Sequence, residues 1–523
     1  MAQVRQAETA SVSATGLLER SSHLSSLRDT LDVVLAERRG CLVLLGGEAG
    51  VGKTALVQQF CAEQGPSVRI LWGGCDPLFT PRPLGPFMDI AQQESGGDLR
   101  EVLEGAKPHQ VAAALTRTVL EQRGTILVLE DVHWADEATL DVLSLLGRRI
   151  EAIPALVIAT YRDDELERSH PLKILLGEFR NPRSIQRLKV EPLSQAAVEI
   201  LAKPYGVDAS ALYRATSGNP FFVTEALAAE SGDIPSTVRD AVLARAARLT
   251  AAATAVIEAV AIAPPHVELW LLDALVADAT DPLEQCLSSG MIEAVPGGVA
   301  FRHELARIAV EQSLSPHRRI ALHRVALRTL EERPPGGADL ARLAHHADAA
   351  GDTSGVLRFA PAAAEHAASI GAHREAAAQF GRALRFGDGL AADVRATLFE
   401  RRSYECYLTG QSADSVRALE AAIECRRELG DQLGEGAALS SLSRRLWCAG
   451  RSTDAGKVGW EALRILEHLQ PGRELALAYT HLSQLALNAE RGEETVTWAT
   501  RALELAEKLG ETAVTVHSLN NIG

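Results

Sequence analysis

The chain has 523 residues, of which 46% are hydrophobic and 23% charged, and its formal net charge is -15. This length exceeds what one hydrophobic core supports, so several domains are expected. No apolar run is long enough to cross a membrane, no secretory signal opens the chain, and the acidic balance argues against a large nucleic-acid surface. These features favour a multidomain cytoplasmic protein.

The first 190 residues alternate between apolar runs and stretches of helical periodicity. After an expected loose tail at residues 1–14, strands are predicted at 42–45, 68–72, 126–129, 155–159 and 185–190. Helical periodicity occupies 111–120 and 140–146, among other stretches. Alternation of this kind predicts a parallel sheet wrapped by helices, with its ligand site at the carboxyl edge.

A glycine-rich segment follows the first predicted strand directly. It reads Gly47-Glu48-Ala49-Gly50-Val51-Gly52-Lys53-Thr54, the G-x-x-x-x-G-K-[ST] pattern of a phosphate-binding loop. In such a loop the backbone N–H groups surround a phosphate, the lysine neutralises phosphate oxygens and the hydroxyl residue ligates Mg²⁺. We therefore predict ATP or ADP with Mg²⁺ as cofactors, Lys53 on the phosphates and Thr54 on the metal. A plain glycine-rich turn is the alternative.

Two acids, Glu130 and Asp131, end the third predicted strand. One carboxylate at a sheet edge can hold Mg²⁺, while its neighbour orients or deprotonates the attacking water. The usual order assigns Glu130 to magnesium and Asp131 to water, although Glu-Asp reverses the commoner Asp-Glu and leaves this division open. A solvated turn or a helix cap is the alternative interpretation of the pair.

The fourth predicted strand is followed by Arg162 at the same sheet edge. A planar cation there could contact the γ-phosphate and distinguish ATP from ADP. Alternatively, Arg162 is a surface residue that pairs with Asp163 or Asp164.

Four sequence motifs resemble those of the STAND class of P-loop ATPases, and more closely those of the large ATP-binding regulators of the LuxR family. They are Leu18-Glu19-Arg20, the phosphate-binding loop, Leu127-Val128-Leu129-Glu130-Asp131-Val132-His133-Trp134-Ala135-Asp136, and Gly218-Asn219-Pro220-Phe221-Phe222. The resemblance implies that Arg20 lies beside the adenine and that Pro220 belongs to a helical lid over the nucleotide. Without it, Arg20 is a helix-cap charge and 218–220 an ordinary turn.

Short apolar helices and a hairpin around Pro296-Gly297-Gly298 suggest a winged-helix unit. Winged helices often bind DNA, but Leu249 to Phe301 contains no Lys or Arg and several acids. Such a surface repels a duplex. The family resemblance likewise implies an internal coupling element.

The last third of the sequence repeats every 40 residues. Three apolar columns carry the repeat: Leu442, Leu482 and Ile522; Ala422, Ala462 and Ala502; Leu429, Leu469 and Leu509. This period predicts stacked TPR-like helical hairpins rather than a plain bundle. Because the sequence stops at Gly523, we expect the last repeat to lack its second helix and the chain to be either a fragment of a longer regulator or an early-terminated reading frame.

These observations predict a multidomain α/β plus α architecture. Its domains are a P-loop NTPase core at 15–190, a helical lid at 191–234, a winged-helix-like unit at 235–315 and a TPR-like array at 316–523. The expected function is an ATP-dependent signalling switch with slow hydrolysis, whose array senses a small-molecule or protein inducer and which self-associates with ATP. DNA contact would need a domain absent from this chain. A fast remodelling ATPase and a repeat scaffold with a vestigial site are the alternatives.

Overall fold

The computed structural model describes residues 17–78, 80–93, 98–103, 105, 107–120, 124–167, 170–179, 184–228, 237–332 and 339–523. The predicted tail at 1–14 and the predicted domain boundary between residues 234 and 235 lie outside these ranges. The chain divides into two compact units, one ending at Asp352 and the other beginning at Thr353. Over the described ranges, no helix combines the length and the apolar character that a bilayer span requires.

A five-stranded, wholly parallel sheet forms the centre of the amino-terminal part, which confirms the predicted α/β core. Its strands are β1 (Cys41–Gly46), β2 (Arg69–Gly74), β3 (Thr125–Glu130), β4 (Ala155–Tyr161) and β5 (Ile185–Lys189). Their order across the sheet is β2-β3-β4-β1-β5. Every residue of β1 is buried, as expected for a strand covered on both faces.

Helices cover both faces of this sheet. They are α1 (Ser21–Glu37), α2 (Lys53–Ala62), α3 (Gly85–Gln93), α4 (Asp98–Leu103), α5 (Pro108–Leu120), α6 (Glu137–Arg149) and α7 (Pro171–Glu178). On one face, Leu27 of α1 and Phe60 of α2 share a core with Val43 and Leu45 of β1. The alternate residues of β1 thereby anchor the helix that follows the phosphate-binding loop.

Three short helices follow β5 in the region predicted to form the lid. They are α8 (Gln195–Ala202), α9 (Ala209–Thr216) and α10 (Pro220–Ala228). Val198, Leu212 and Val223 bring one residue from each helix into a small core of their own. Leu18, from the segment before α1, packs against this core, so the lid is attached to the beginning of the described chain.

The winged-helix unit contains the predicted hairpin and one strand that the sequence did not indicate. Its elements, with the helical hairpin that follows, are α11 (Val238–Ala246), α12 (Ala251–Ala261), β6 (Val267–Glu268), α13 (Leu269–Leu275), α14 (Thr280–Ser289), β7 (Ile292–Val295), β8 (Gly298–Phe301), α15 (Glu304–Ser313), α16 (Pro316–Glu331) and α17 (Asp339–Ala350). The antiparallel sheet has the order β6-β8-β7. At two residues, β6 is too short to show periodicity.

The second unit is entirely helical. It comprises α18 (Thr353–Ser369), α19 (His373–Arg385), α20 (Ala392–Leu408), α21 (Ser412–Leu429), α22 (Gln432–Cys448), α23 (Ser452–Leu466), α24 (Arg473–Asn488), α25 (Gly492–Leu509) and α26 (Thr512–Ile522). Helices α21, α23 and α25 begin at residues 412, 452 and 492, which are 40 residues apart. The predicted TPR-like repeat is therefore confirmed.

A buried serine marks each repeat at the same place. The hydroxyls of Ser403, Ser443 and Ser483 donate to backbone carbonyls twelve residues further on, over 2.8, 2.7 and 3.0 Å. Each bond joins two successive helices and satisfies a polar group that burial would otherwise leave unpaired. After the hairpin of α24 and α25, residues 512–522 form α26, which takes the place of α22 and α24 in the 40-residue repeat.

Candidate functional site

The strand order brings the predicted site residues to one edge of the sheet. Strand β4 lies between β1, which leads into the phosphate-binding loop, and β3, which ends in the two acids. Arg162 directly follows β4 and is therefore placed between the loop and the acids. Because all five strands are parallel, their carboxyl ends meet at this edge, where ligands of open α/β sheets bind.

The phosphate-binding loop has the backbone that its glycines allow. Gly50 and Gly52 have φ values of 77° and 94°, in the left-handed region that a side chain disfavours. Helix α2 begins at Lys53, so its free N–H groups and positive dipole end face the loop. Lys53 is buried, and its Nζ donates to the carbonyls of Gly47 and Glu48 over 2.6 and 2.9 Å.

Burial and nearby charges set the electrostatics of Lys53. Burial lowers its pKa, and the charge of Asp131 opposes that effect. Arg162, a second cation, lowers the pKa of Lys53 further. Two cations beside a glycine-rich loop that leads into a helix N-terminus form a site suited to a polyphosphate.

Glu130 and Thr54 provide adjacent oxygen atoms at the position predicted for magnesium. The Thr54 hydroxyl donates to Oε1 of Glu130, and the Trp72 indole N–H donates to Oε2 over 3.1 Å. Mg²⁺ prefers such hard oxygen ligands and usually retains several waters. Burial first, and then the charge of Asp131, raise the pKa of Glu130 to about 7.

The raised pKa of Glu130 predicts a pH dependence of Mg²⁺-supported nucleotide binding. The pKa of Glu130 is raised from its ordinary value of 4.5 to about 7, so the folded protein holds the protonated form more tightly than the unfolded chain does. This contribution to the free energy of unfolding is complete at acidic pH and is lost as the pH rises through about 7. The carboxylate that a cation requires forms over the same interval. We therefore expect Mg²⁺-dependent affinity for ADP to increase about tenfold from about pH 6 to about pH 8.

Calorimetric titrations of wild type and Glu130→Gln across this pH range test the assignment. The variant has no group to ionise and should show only the pH dependence of the nucleotide itself. Equal slopes in the two proteins would exclude Glu130 as the titrating group.

Asp131 has a left-handed backbone, with φ of 54°, held by a 2.9 Å bond from its N–H to the Thr160 hydroxyl. Burial raises the pKa of its carboxyl, while Arg162 and Lys53 act against this. Neither ring nitrogen of the neighbouring His133, which is buried, has a hydrogen-bond partner among the described residues. Its Nδ1 lies 3.8 Å from Oδ1 of Asp131 and its Nε2 lies 3.5 Å from Oε2 of Glu165, so the ring faces both acids without a hydrogen bond to either.

Arg162 is held by an aromatic ring and an acid that the sequence did not assign to it. Its guanidinium lies 4.4 Å from the ring centre of Trp134, a cation–π contact, and pairs with Glu165. The side chain is 8% exposed, so it is not the surface residue of the alternative interpretation. Trp134 keeps this cation at the loop end of β4.

Arg20 connects the phosphate-binding loop to the beginning of the lid. Its buried guanidinium donates to the carbonyl of Val51 over 3.1 Å and to that of Glu191 over 2.8 Å. The preceding Glu19 accepts from the N–H and hydroxyl of Ser194, the residue that caps α8. The structure thus places Arg20 behind the loop, where its donors contact backbone carbonyls.

The turn 218–220 closes directly on the phosphate-binding loop. The Asn219 amide donates to the Ala49 carbonyl over 2.8 Å, and the Phe221 N–H donates to the Gly50 carbonyl over 3.2 Å. A Cβ on Gly50 would lie only 2.9 Å from Cβ of Phe221. Pro220 is the first residue of α10, at this contact.

Phe221 also belongs to the hydrophobic core of the winged-helix unit. The centre of its ring lies 4.4 Å from the centre of the His303 ring. Leu305 of α15 comes within 3.4 Å of the point that a Cβ on Gly50 would occupy, so loop, lid and α15 meet at one place. A displacement of the loop would therefore also move Phe221, whose ring packs in the winged-helix core.

A buried ion pair joins Asp76 to Arg82 in a proline-rich part of the chain, which contains Pro77, Pro81 and Pro83. Arg82 donates to both carboxylate oxygens of Asp76, over 2.5 and 2.9 Å, and contacts Asp89 at 3.3 Å. The Leu84 N–H donates to Asp136, which also caps α6. The segment is thus fixed to the residues just beyond the acids.

These elements form a P-loop site at the carboxyl edge of a parallel α/β sheet. Residues 16–158 match the family model described as the AAA ATPase domain, so this part of the chain carries an AAA ATPase domain. Nucleotide binding follows from that domain.

Similarity to individual proteins extends over more of the chain. An uncharacterized protein of Rhizobium meliloti (strain 1021) is 23% identical over 434 residues, which cover 69% of this chain and 42% of the relative. The chain therefore spans less than half of that relative.

Among solved structures, a STAND protein with a tetratricopeptide repeat sensor from Pyrococcus horikoshii is 14% identical, with a TM-score of 0.45 over 95% of this chain and 79% of the other. Cdc6p from Pyrobaculum aerophilum is also 14% identical, with a TM-score of 0.29 over 57% and 96%.

Proposed function

We propose that this chain is the regulatory part of a signal-transduction ATPase, in which the nucleotide held by the phosphate-binding loop selects between two arrangements of lid and winged helix. The observation that carries this proposal is the position of Phe221. Its backbone N–H is bonded to Gly50 of the loop, and its ring lies in the winged-helix core. A switch needs such an element, whose position depends on both sites.

In the proposed mechanism, Lys53 and the N–H groups of the loop hold the phosphates. Thr54 and Glu130 hold Mg²⁺, which when bound neutralises phosphate charge. Asp131 orients and deprotonates the attacking water, and Arg162 contacts the terminal phosphate. Arg20 and Pro220 act on the base side and in the lid, with Arg20 working through the backbone of Val51.

The lid contact leads to a prediction for nucleotide release. Asn219→Ala removes the 2.8 Å bond to the Ala49 carbonyl, and a hydrogen bond of this kind contributes about 1 kcal/mol. We expect a fluorescent ADP analogue to dissociate about fivefold faster from the variant in stopped-flow measurements. Asn520→Ala, which changes an exposed asparagine in α26, should behave as wild type. An unchanged release rate in Asn219→Ala would show that the contact between the lid and the loop does not help to retain the nucleotide.

We further propose that the chain is part of a LuxR-type regulator, because it has the four sequence motifs and the repeat array. Within it, the array binds a small-molecule or protein inducer, the ATP state self-associates in the cytoplasm, and DNA is contacted by a domain outside this chain. The acidic winged-helix unit supports this division, since 249–301 contains no Lys or Arg.

Two measurements separate this proposal from its alternatives. A switch turns over slowly without an effector, so steady-state turnover of many ATP per second would favour a remodelling ATPase. A scaffold with a vestigial site would carry no ADP or ATP after purification and would show no thermal shift with Mg-ATP.

A further inference from the structure

Three histidines gather between α16 and α17, far along the chain from the phosphate-binding loop. His323 lies on α16, and His345 and His346 lie on α17. One ring nitrogen from each lies within 4.8 Å of the others, and the Nδ1 atoms of His323 and His346 are 2.8 Å apart. Sequence spacing did not reveal this group, because the hairpin fold brings its members together.

The three rings have the spacing of ligands around one metal ion. Their centres are separated by 5.1, 5.2 and 5.5 Å. With zinc–nitrogen bonds of about 2.0 Å and tetrahedral angles, the centres of coordinated imidazole rings lie about 5 Å apart. The ring positions already satisfy this geometry, and rotation of the rings about their side-chain bonds would aim one nitrogen of each at a common point.

The protonation state of the cluster also suits a metal. Burial lowers the pKa of His323 to about 3 and that of His346 well below its ordinary value, and the neighbouring histidines add to both shifts. Neutral imidazole is the form that binds metals, so protons do not compete near pH 7. Arg319 and Arg342 also bear on the cluster, but Glu268 pairs with Arg342 through two bonds of 2.8 and 3.0 Å.

We propose that His323, His345 and His346 bind one Zn²⁺ ion, with water in the fourth position. His323 and His346 are each 1% exposed, whereas His345 is partly exposed and gives access from solvent. When both facing Nδ1 atoms bind the metal, the proton they share moves to Nε2 of its own ring, so no net proton is released.

The ion would fasten α16 to α17. Arg342, one turn before His346 on α17, is bonded to Glu268 at the start of α13, so the fastened hairpin is also joined to the winged-helix unit. Three imidazoles without thiolates favour Zn²⁺ over Mg²⁺ or Ca²⁺, and Co²⁺ serves as its spectroscopic substitute.

Zinc titration of the full chain tests the site. The protein is first treated with a chelator and kept free of nucleotide and magnesium, so that the phosphate-binding loop makes no contribution. Calorimetry should give one Zn²⁺ per chain for wild type and for His317→Gln, which changes an exposed histidine on the same α16. His345→Gln should weaken this binding by more than about 100-fold, since even outer-shell changes cost about 10- to 100-fold.

Cobalt provides a readout on the unmutated protein. Wild type loaded with one Co²⁺ should show the visible bands of tetrahedral coordination without a thiolate charge-transfer band, which distinguishes this site from the exposed Cys448. The proposal is overturned if wild type gives no such bands, or if His345→Gln binds Zn²⁺ as tightly as wild type does. The three rings would then form a neutral, hydrogen-bonded packing cluster.

Discussion

Replacement of Lys53 by alanine is expected to weaken ATP binding by more than about 100-fold, or about 3 kcal/mol. The Nζ atom lies over the loop, within 2.9 Å of two of its carbonyls, and is buried. A buried cation pairs strongly with phosphate oxygens, because little water screens the interaction. Without it, the loop would present N–H groups alone to a highly charged ligand.

Equilibrium titration with a fluorescent ATP analogue and Mg²⁺ measures this effect. Lys203→Ala removes a lysine that is exposed and lies in the lid region, so it controls for a general loss of positive charge. Its affinity should stay within about twofold of wild type, or about 0.4 kcal/mol. Retained affinity in Lys53→Ala would mean that the loop does not bind phosphate as proposed.

Asp131→Asn is expected to retain nucleotide binding and to slow hydrolysis by about 100-fold or more. A positioned base contributes about 10²- to 10⁴-fold to such reactions, and the amide cannot accept the proton of water. Asparagine preserves the shape of the side chain at a backbone φ of 54°, a conformation that this residue tolerates. The variant should therefore accumulate the ATP state.

Single-turnover hydrolysis, read as ADP formed from prebound ATP, measures the step directly. Asp164→Asn is the matched control, because it removes an exposed carboxylate whose charge also acts on Lys53. It should leave the rate within about threefold of wild type. Equal rates for Asp131→Asn and wild type would show that the acid roles are misassigned, and Glu130→Gln would then be the variant to compare.

The phosphate-binding loop and the strands could be predicted because their signals are local. The apolar runs, the glycines and Lys53 lie within a few residues of one another, and the loop motif fixes the helix that follows. The strand order could not be predicted in the same way. Strand β4 is inserted between β1 and β3 by non-local pairing, and no periodicity records which strands are neighbours.

The supporting residues of the site were missed for a related reason. Trp134 holds Arg162, and Asn219 bonds the loop, through contacts between segments that are distant in sequence. Both residues lie in the sequence motifs, but the motifs do not indicate which residues they contact. The histidine cluster depends in the same way on a helical hairpin, whose pairing becomes visible only in three dimensions.

In the proposed switch, a nucleoside triphosphate and Mg²⁺ occupy the loop that Lys53 completes. The most direct measurement is a crystal structure of the chain grown with Mg²⁺ and a non-hydrolysable ATP analogue. We expect phosphates on the loop N–H groups, Mg²⁺ beside Thr54 and Glu130, and Arg162 at the terminal phosphate. Crystals that show a loop free of the analogue at saturating concentration, or filled by side chains of this chain, would contradict the claim.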